Sequence, residues 1–175
     1  MLLGVKVSNS QTIIWKQDRL LNWSDFKGKP ERRFAVASTV YNIEMLTYHE
    51  NNNQYTINTY AVFYCKDSWK RKEWISDVIL KHEQKHFDLA ELYARKMRAE
   101  LSKLLVKNYA ELKLKTDEIY YRLEKEMDKI QDQYDDETEG SMNSIKQLEW
   151  ENFIASELIK LNKFKDSVVS VNFVN

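Results

Sequence analysis

Short runs rich in β-branched and aromatic side chains occupy the first third of the chain, a composition typical of strands. One run covers residues 12–15, a second covers 34–48 and a third covers 55–64. The polar stretch 50–54 between the last two runs has the composition of a hairpin loop. We therefore predict an antiparallel sheet of three or four strands here. The β-prone segment 167–174 predicts one more edge strand near the end of the chain.

From about residue 72 the hydrophobic positions recur every three or four residues, which predicts amphipathic helices. The first helical stripe consists of Ile75, Ile79, His82, His86, Leu89, Tyr93, Met97 and Leu101. The second stripe consists of Tyr109, Leu112, Ile119, Leu123, Met127, Ile130 and Tyr134. The second helix is expected to end near Gly140, since glycine suits a helix C-terminus, and a third helix is expected over 143–161.

The order of these elements predicts a single α+β domain over 1–175. A small N-terminal antiparallel sheet, in a strand-rich part of about 10–70, packs on long C-terminal helices of about 72–164. The chain has 175 residues, which is enough to bury a hydrophobic core. Only three glycines and one proline occur, so tight turns are scarce and long helices are favoured.

Charge and cysteine content narrow the possible functions. Lys plus Arg and Asp plus Glu both number 27, and this balance argues against a dedicated nucleic-acid binder. The single cysteine, Cys65, excludes an internal disulfide framework and any multi-cysteine metal site. No stretch approaches the roughly 20 apolar residues of a membrane span, so none is expected. The acidic run over 117–139 is interpreted as the solvated face of the second helix.

The candidate chemistry lies in residues 82–86, which read His-Glu-Gln-Lys-His, an HExxH motif on the first predicted helix. A spacing of four places His82 and His86 about 40° apart on one helix face, close enough to share a metal ion. Zn²⁺ accepts two neutral imidazoles and a third protein ligand, which leaves a position for water. Glu83 lies beside the metal position and is suited to take a proton from the attacking water.

Both histidines of the motif also lie on the apolar stripe of their helix, together with Leu89, Tyr93 and Met97. Buried imidazoles without partners are costly in free energy, unless a ligand or another group satisfies them. The position of the pair therefore favours a metal site over two histidines that share a surface by chance.

The surroundings of the motif resemble a bacterial family described as secreted zinc-dependent proteases, whose domain is catalogued as one of unknown function. The resemblance is carried by 80–95 around the motif, by 21–30 and 67–69 upstream, and by Tyr134-Asp-Asp-Glu-Thr138, Gln147 and Trp150 downstream. It covers roughly residues 12–160. It implies a zinc-dependent peptidase that is periplasmic or secreted. Residues 1–6 themselves have no basic leader, so no signal peptide is expected in the chain as given.

The chain departs from the family pattern at the third metal ligand. The family has a histidine after the Tyr-Asp segment, and this chain has Gly140 there. The neighbouring Glu139 supplies a carboxylate and is our predicted third ligand, in a His, His, Glu set that catalytic zinc accepts. Weaker candidates for the same position are Glu137, Glu149, Glu151 and His49.

These observations predict a zinc metallopeptidase that acts on a peptide or protein substrate, with Glu83 as general base. The first alternative is a catalytically degenerate member of the family, which has lost the third histidine and acts as a binding or interaction protein. The second alternative is a helical interaction module, suggested by the long apolar stripe between Tyr109 and Tyr134. The sequence leaves the substrate and the oligomeric state open.

Overall fold

A computed structural model describes residues 11–31, 35–51 and 54–174 of the chain. The strands are β1 (Thr12–Ile14), β2 (Ala37–Ser38), β3 (Tyr41–Asn51), β4 (Gln54–Tyr64), β5 (Trp69–Lys70) and β6 (Val168–Asn172). The helices are α1 (Asp77–Leu101), α2 (Tyr109–Thr138) and α3 (Ser144–Lys160), with short 3-10 turns at Lys72–Trp74 and Asn162–Phe164. The α+β class predicted from the sequence is confirmed, with the HExxH motif on the first long helix.

The main sheet is antiparallel and has β4 at its centre. One edge of β4 pairs along its length with β3, and the other edge pairs with β1 at one end and with β6 at the other. The predicted edge strand near the C-terminus is thus confirmed as β6. Part of the predicted hairpin loop, residues 52 and 53, lies outside the described residues.

The run predicted as one strand over 34–48 is divided into two strands. Its first residue, Phe34, lies outside the described residues, and the rest forms β2 and then β3 after a short connection. The strands join different sheets, because β2 pairs with β5 while β3 pairs with β4. The connection at Thr39 and Val40 therefore carries the chain from one sheet to the other, close to α1.

Side-chain caps define where the three helices begin. Ser76, Asn108 and Asn143 each accept a hydrogen bond from a backbone N–H in the first turn of α1, α2 and α3, respectively. Helix α1 begins at Asp77, five residues after the point at which the helical periodicity of the sequence begins, because a 3-10 turn precedes the Ser76 cap. Helix α2 ends where predicted: Glu139 is its left-handed C-cap, with φ of 51°, and Gly140 follows with φ of 59°.

The core lies between the main sheet and the helices. The inner face of the sheet, with Ile43, Ile57 and Phe63, packs in the same cluster as Phe87 and Met97 of α1. A second cluster joins the three helices and consists of Leu89, Leu92, Tyr134, Trp150 and Ile154. This second cluster fixes the register of α2 and α3 along α1, and it lies directly beside the HExxH motif. No helix among the described residues has the length and apolarity to cross a membrane.

Candidate metal centre

A cleft of about 520 Å³ opens over the HExxH motif, between β2, the first turns of α1 and the last turns of α2. Its lining combines small side chains of 35–39 with the motif residues and with the polar end of α2. His82 and Glu83 are only 3% and 5% exposed, and His86 is 9% exposed, so the chemistry-bearing side chains lie at the bottom of the cleft.

Three ligand atoms converge at the bottom of this cleft. The Nε2 atoms of His82 and His86 are 3.2 Å apart, and each lies 3.0 Å from the same carboxylate oxygen, Oδ1 of Asp135. The two histidines come from adjacent turns of α1, and Asp135 comes from the last turn of α2. This is the one group of three potential metal ligands that occurs within the described residues.

The other ring nitrogen of each histidine contacts a glutamine amide oxygen. His86 Nδ1 lies 2.6 Å from Gln131 Oε1, and His82 Nδ1 lies 3.2 Å from Gln147 Oε1. The amide orientations are fixed because Gln131 Nε2 donates to the backbone carbonyl of His86 and Gln147 Nε2 donates to Glu151. An amide oxygen only accepts hydrogen bonds, so each Nδ1 carries a proton and donates it.

This arrangement leaves the Nε2 atom of each neutral imidazole with a lone pair that is directed at the centre of the cluster. Two lone pairs and the carboxylate of Asp135 would repel one another at 3.0–3.2 Å unless a positive species lies among them. In a tetrahedral zinc site with bonds of about 2.0–2.1 Å, ligand atoms are about 3.3 Å apart. The donor types and their separations therefore fit a zinc ion.

When no metal ion is bound, protons on the Nε2 atoms supply this positive charge and form the hydrogen bonds to Asp135. Burial alone lowers the pKa of the His86 imidazole, but the hydrogen bond to Asp135 and the negative charge of Glu83 outweigh it, and the net effect raises the pKa. Burial alone raises the pKa of Asp135, but hydrogen bonds from His82 and His86 hold this pKa well below its ordinary value. The cluster thus stabilises positive charge, whether a proton or a metal ion carries it.

Tyr134 packs against both imidazole rings of the site. Its ring stacks on His82 at 4.6 Å and meets His86 edge-on at 5.0 Å, while its hydroxyl lies within hydrogen-bond distance of the His82 carbonyl and of Gln147. The side chain is fully buried, and burial raises the pKa of its phenol, which therefore stays neutral. The two imidazole rings are held in place by packing as well as by hydrogen bonds.

Glu83 lines the same cleft but is not part of the cluster of ligand atoms. Its Oε2 atom accepts a hydrogen bond of 2.6 Å from the Thr39 hydroxyl. The residue predicted as general base therefore lines the same cleft as the potential ligand atoms, and it is oriented by the connection between β2 and β3.

Asp135, and not Glu139, is grouped with the two imidazoles among the described residues. Glu139, the predicted third ligand, lies one turn further along and lines the same cleft, exposed at the C-cap of α2, where its carboxylate contacts Asn143 at 3.5 Å. The weaker candidates make other contacts: Glu137 accepts from Trp150, Glu149 pairs with Lys146, Glu151 accepts from Gln147, and the His49 ring packs at a tilt against Tyr55. Gly140, where the resemblance led us to expect a histidine, lines the cleft.

Sequence reasoning did not predict Asp135, Gln131 or Gln147 as site residues, nor Thr39 and Tyr134, which hold Glu83 and the imidazoles. A signal for Asp135 was present, because it lies in the Tyr134–Thr138 segment on which the family resemblance rests. The acidic run over 117–139 obscured it, since one functional carboxylate among ten acidic residues has no distinguishing local pattern.

Comparison with known protein families identifies a family that matches most of the chain. A family model described as "Bacterial protein of unknown function (DUF922)" matches residues 10–142. No curated protein and no solved structure matches the chain. The matched range contains both histidines, Glu83, Asp135 and Gly140.

Proposed function

The chain belongs to the bacterial family of unknown function DUF922, and we propose that it is a zinc-dependent peptidase with His82, His86 and Asp135 as metal ligands. The proposal rests on one observation, the convergence of two imidazole nitrogens and one carboxylate oxygen within 3.2 Å of one another. Three protein ligands leave the fourth position of a tetrahedral ion open, which is typical of catalytic rather than structural zinc.

Each residue has a separate role in this proposal. A zinc ion supplies Lewis acidity, which makes water a stronger acid and polarises a carbonyl group. The Glu83 carboxylate accepts the proton of the attacking water and later delivers it to the leaving amine. The Thr39 hydroxyl donates to Oε2 of Glu83 and orients the carboxylate for this step. Gln131 and Gln147 keep the imidazoles in the metal-binding tautomer.

We propose a peptide substrate because of the strand that lines the cleft. The Arg71 N–H donates to the Val36 carbonyl, so Val36 and Ser38 turn their backbone groups towards β5. Backbone direction alternates along a strand, so the N–H and C=O of Ala37 point to the opposite edge of β2. That edge has no partner strand among the described residues. An extended peptide binds to such an edge by adding a strand.

The variant Glu83→Gln tests the proposed chemistry. The amide has nearly the same shape as the carboxylate but does not accept a proton, so we expect kcat to fall by about 100-fold or more. Zinc content is expected to be retained, because Glu83 is not among the converging ligand atoms. The measurement is cleavage of a complex peptide mixture by the zinc-loaded protein, followed by mass spectrometry, with a parallel sample treated with a chelator.

Glu100→Gln is the matched control, since Glu100 lies at the other end of α1 and pairs with Arg122 at the surface. Its cleavage rate is expected to equal that of the unmodified chain. Equal cleavage by Glu83→Gln and by the unmodified chain would contradict the role of Glu83. Cleavage that survives complete zinc removal would contradict the metal-dependent mechanism.

The degenerate alternative is favoured by one residue, Gly140, which stands where the resemblance led us to expect a histidine. In that case the chain binds zinc or a partner and hydrolyses nothing. A zinc-loaded protein that cleaves no component of the peptide mixture would support this alternative over the peptidase.

A further inference from the structure

We propose that Thr39 is the positioning residue for Glu83, and that Ser68 holds Thr39 in place. The inference rests on the proposed function, because it assigns residues to the orientation of the general base. It also gives a role to two segments, 21–30 and 67–69. These segments carry part of the family resemblance but contribute none of the converging ligand atoms.

The contact between Thr39 and Glu83 is short and well placed. The Thr39 hydroxyl lies 2.6 Å from Oε2 of Glu83 and 3.2 Å from the Glu83 backbone carbonyl. A distance of about 2.5–2.7 Å is typical of a hydroxyl that donates to an ionised carboxylate. Glu83 is 5% exposed, and a buried polar side chain is stabilised when it has such a hydrogen-bond partner. Thr39 thus determines which carboxylate oxygen of Glu83 accepts its hydrogen bond and how the Glu83 side chain is oriented.

Thr39 itself is held through its neighbour, Val40. The Val40 N–H donates to the Ser68 hydroxyl oxygen at 2.9 Å, and the Val40 carbonyl accepts from the Tyr64 N–H at 2.9 Å. Ser68 is fully buried. These two hydrogen bonds fix both polar groups of the Val40 backbone. The hydroxyl of Thr39, the residue before Val40, is therefore held in a fixed position next to Glu83 of α1.

Ser68 is in turn fixed by Gly28. The Gly28 N–H donates to the Ser68 carbonyl at 2.8 Å. A Cβ atom at position 28 would lie 2.8 Å from the Lys66 carbonyl oxygen and 2.9 Å from that of Ser68, both on the backbone. Only glycine allows this close approach. Gly28, Ser68, Val40 and Thr39 therefore form a chain of contacts that ends on Glu83.

The first test compares Thr39→Val with Thr39→Ser. Valine keeps the shape of threonine and removes the hydroxyl, whereas serine keeps the hydroxyl and removes a methyl group. We expect Thr39→Val to lower kcat by about 10-fold to 100-fold, because a misplaced catalytic group costs rate even at full occupancy. KM and zinc content are expected to stay unchanged, and Thr39→Ser is expected to recover most of the lost rate. A purely structural role predicts equal losses in both variants, or a loss of zinc.

The second test addresses Ser68. Ser68→Ala is expected to lower kcat in the same direction, and adding Ser68→Ala to Thr39→Val is expected to cause little further loss, because both changes interrupt one chain of contacts. Fully additive losses would overturn the step from Ser68 to Thr39. Thermal unfolding of each variant separates a rate effect from a loss of folded protein.

A crystal structure of zinc-loaded Thr39→Val keeps this inference separate from the peptidase proposal. If the unmodified chain cleaves peptides and Thr39→Val keeps its full kcat, the positioning role is overturned while the peptidase stands. If the unmodified chain cleaves nothing, the peptidase proposal fails, and the inference is then tested by the position of the Glu83 side chain in the crystal structure. We expect that side chain to leave its position in the Thr39→Val crystal, and an unmoved Glu83 would overturn the positioning role.

Discussion

Replacing both imidazoles, as His82→Ala together with His86→Ala, is expected to abolish zinc binding. The two side chains contribute two of the three converging ligand atoms, and Asp135 alone is a half-exposed carboxylate that competes poorly with water for a cation. Elemental mass spectrometry after dialysis against micromolar zinc is expected to find about one ion per chain in the unmodified protein and none in the double variant. Equal zinc in the two proteins would contradict the site.

The third ligand is tested by a pair of alanine variants on α2. Zinc-finger peptides bind zinc with a free energy of about 10–16 kcal/mol, and an equal share of that free energy is about 3 kcal/mol or more for each protein ligand. We therefore expect Asp135→Ala to weaken binding by about 100-fold to 1,000-fold. Glu139→Ala is the matched control and is expected to change little, because Glu139 is exposed and outside the cluster. A larger loss of zinc affinity in Glu139→Ala than in Asp135→Ala would instead support Glu139, the third ligand predicted from the sequence.

The contrast between His86 and Asp135 shows which parts of the site are readable in a sequence. His82 and His86 are four residues apart on one helix, and helical geometry alone brings their side chains together. Asp135 is 53 and 49 residues away from them, on another helix. Its place depends on the register of α2 along α1, which the packing of Tyr134 against Leu89 and Trp150 determines. No local pattern encodes that register.

The division of the predicted strand 34–48 has a similar explanation. The composition of the run predicts extended backbone, and the backbone is extended in both β2 and β3. What divides the run is a pair of partners at distant positions, Ser68 and Tyr64, which bind the two backbone groups of Val40. Strand propensity has no information about which sheet a residue joins, so the turn that carries Thr39 to Glu83 was not predictable.

A second large effect is expected in the half of α1 that follows the proposed metal ligands, where three buried charges meet. Glu91 Oε1 accepts hydrogen bonds from Arg95 Nε at 2.9 Å and from Arg98 Nη2 at 2.5 Å. The three side chains are at most 5% exposed. The arginines also donate to backbone carbonyls, Arg95 to Leu158 in the last turn of α3 and Arg98 to Lys165 just after that helix, so the group joins α1 to the end of α3.

Glu91→Gln is expected to destabilise the fold by about 3–5 kcal/mol, because it removes the one carboxylate that is hydrogen-bonded to both buried guanidinium groups. The same substitution at Glu100, which pairs with Arg122 at the surface of the same helix, is expected to cost less than about 1 kcal/mol. Urea unfolding followed by circular dichroism measures both values. Equal losses in the two variants would mean that the buried charges contribute no more than surface ones. A large loss confined to Glu91→Gln would show that the free energy of unfolding depends on this group, in the half of α1 that follows the proposed metal ligands.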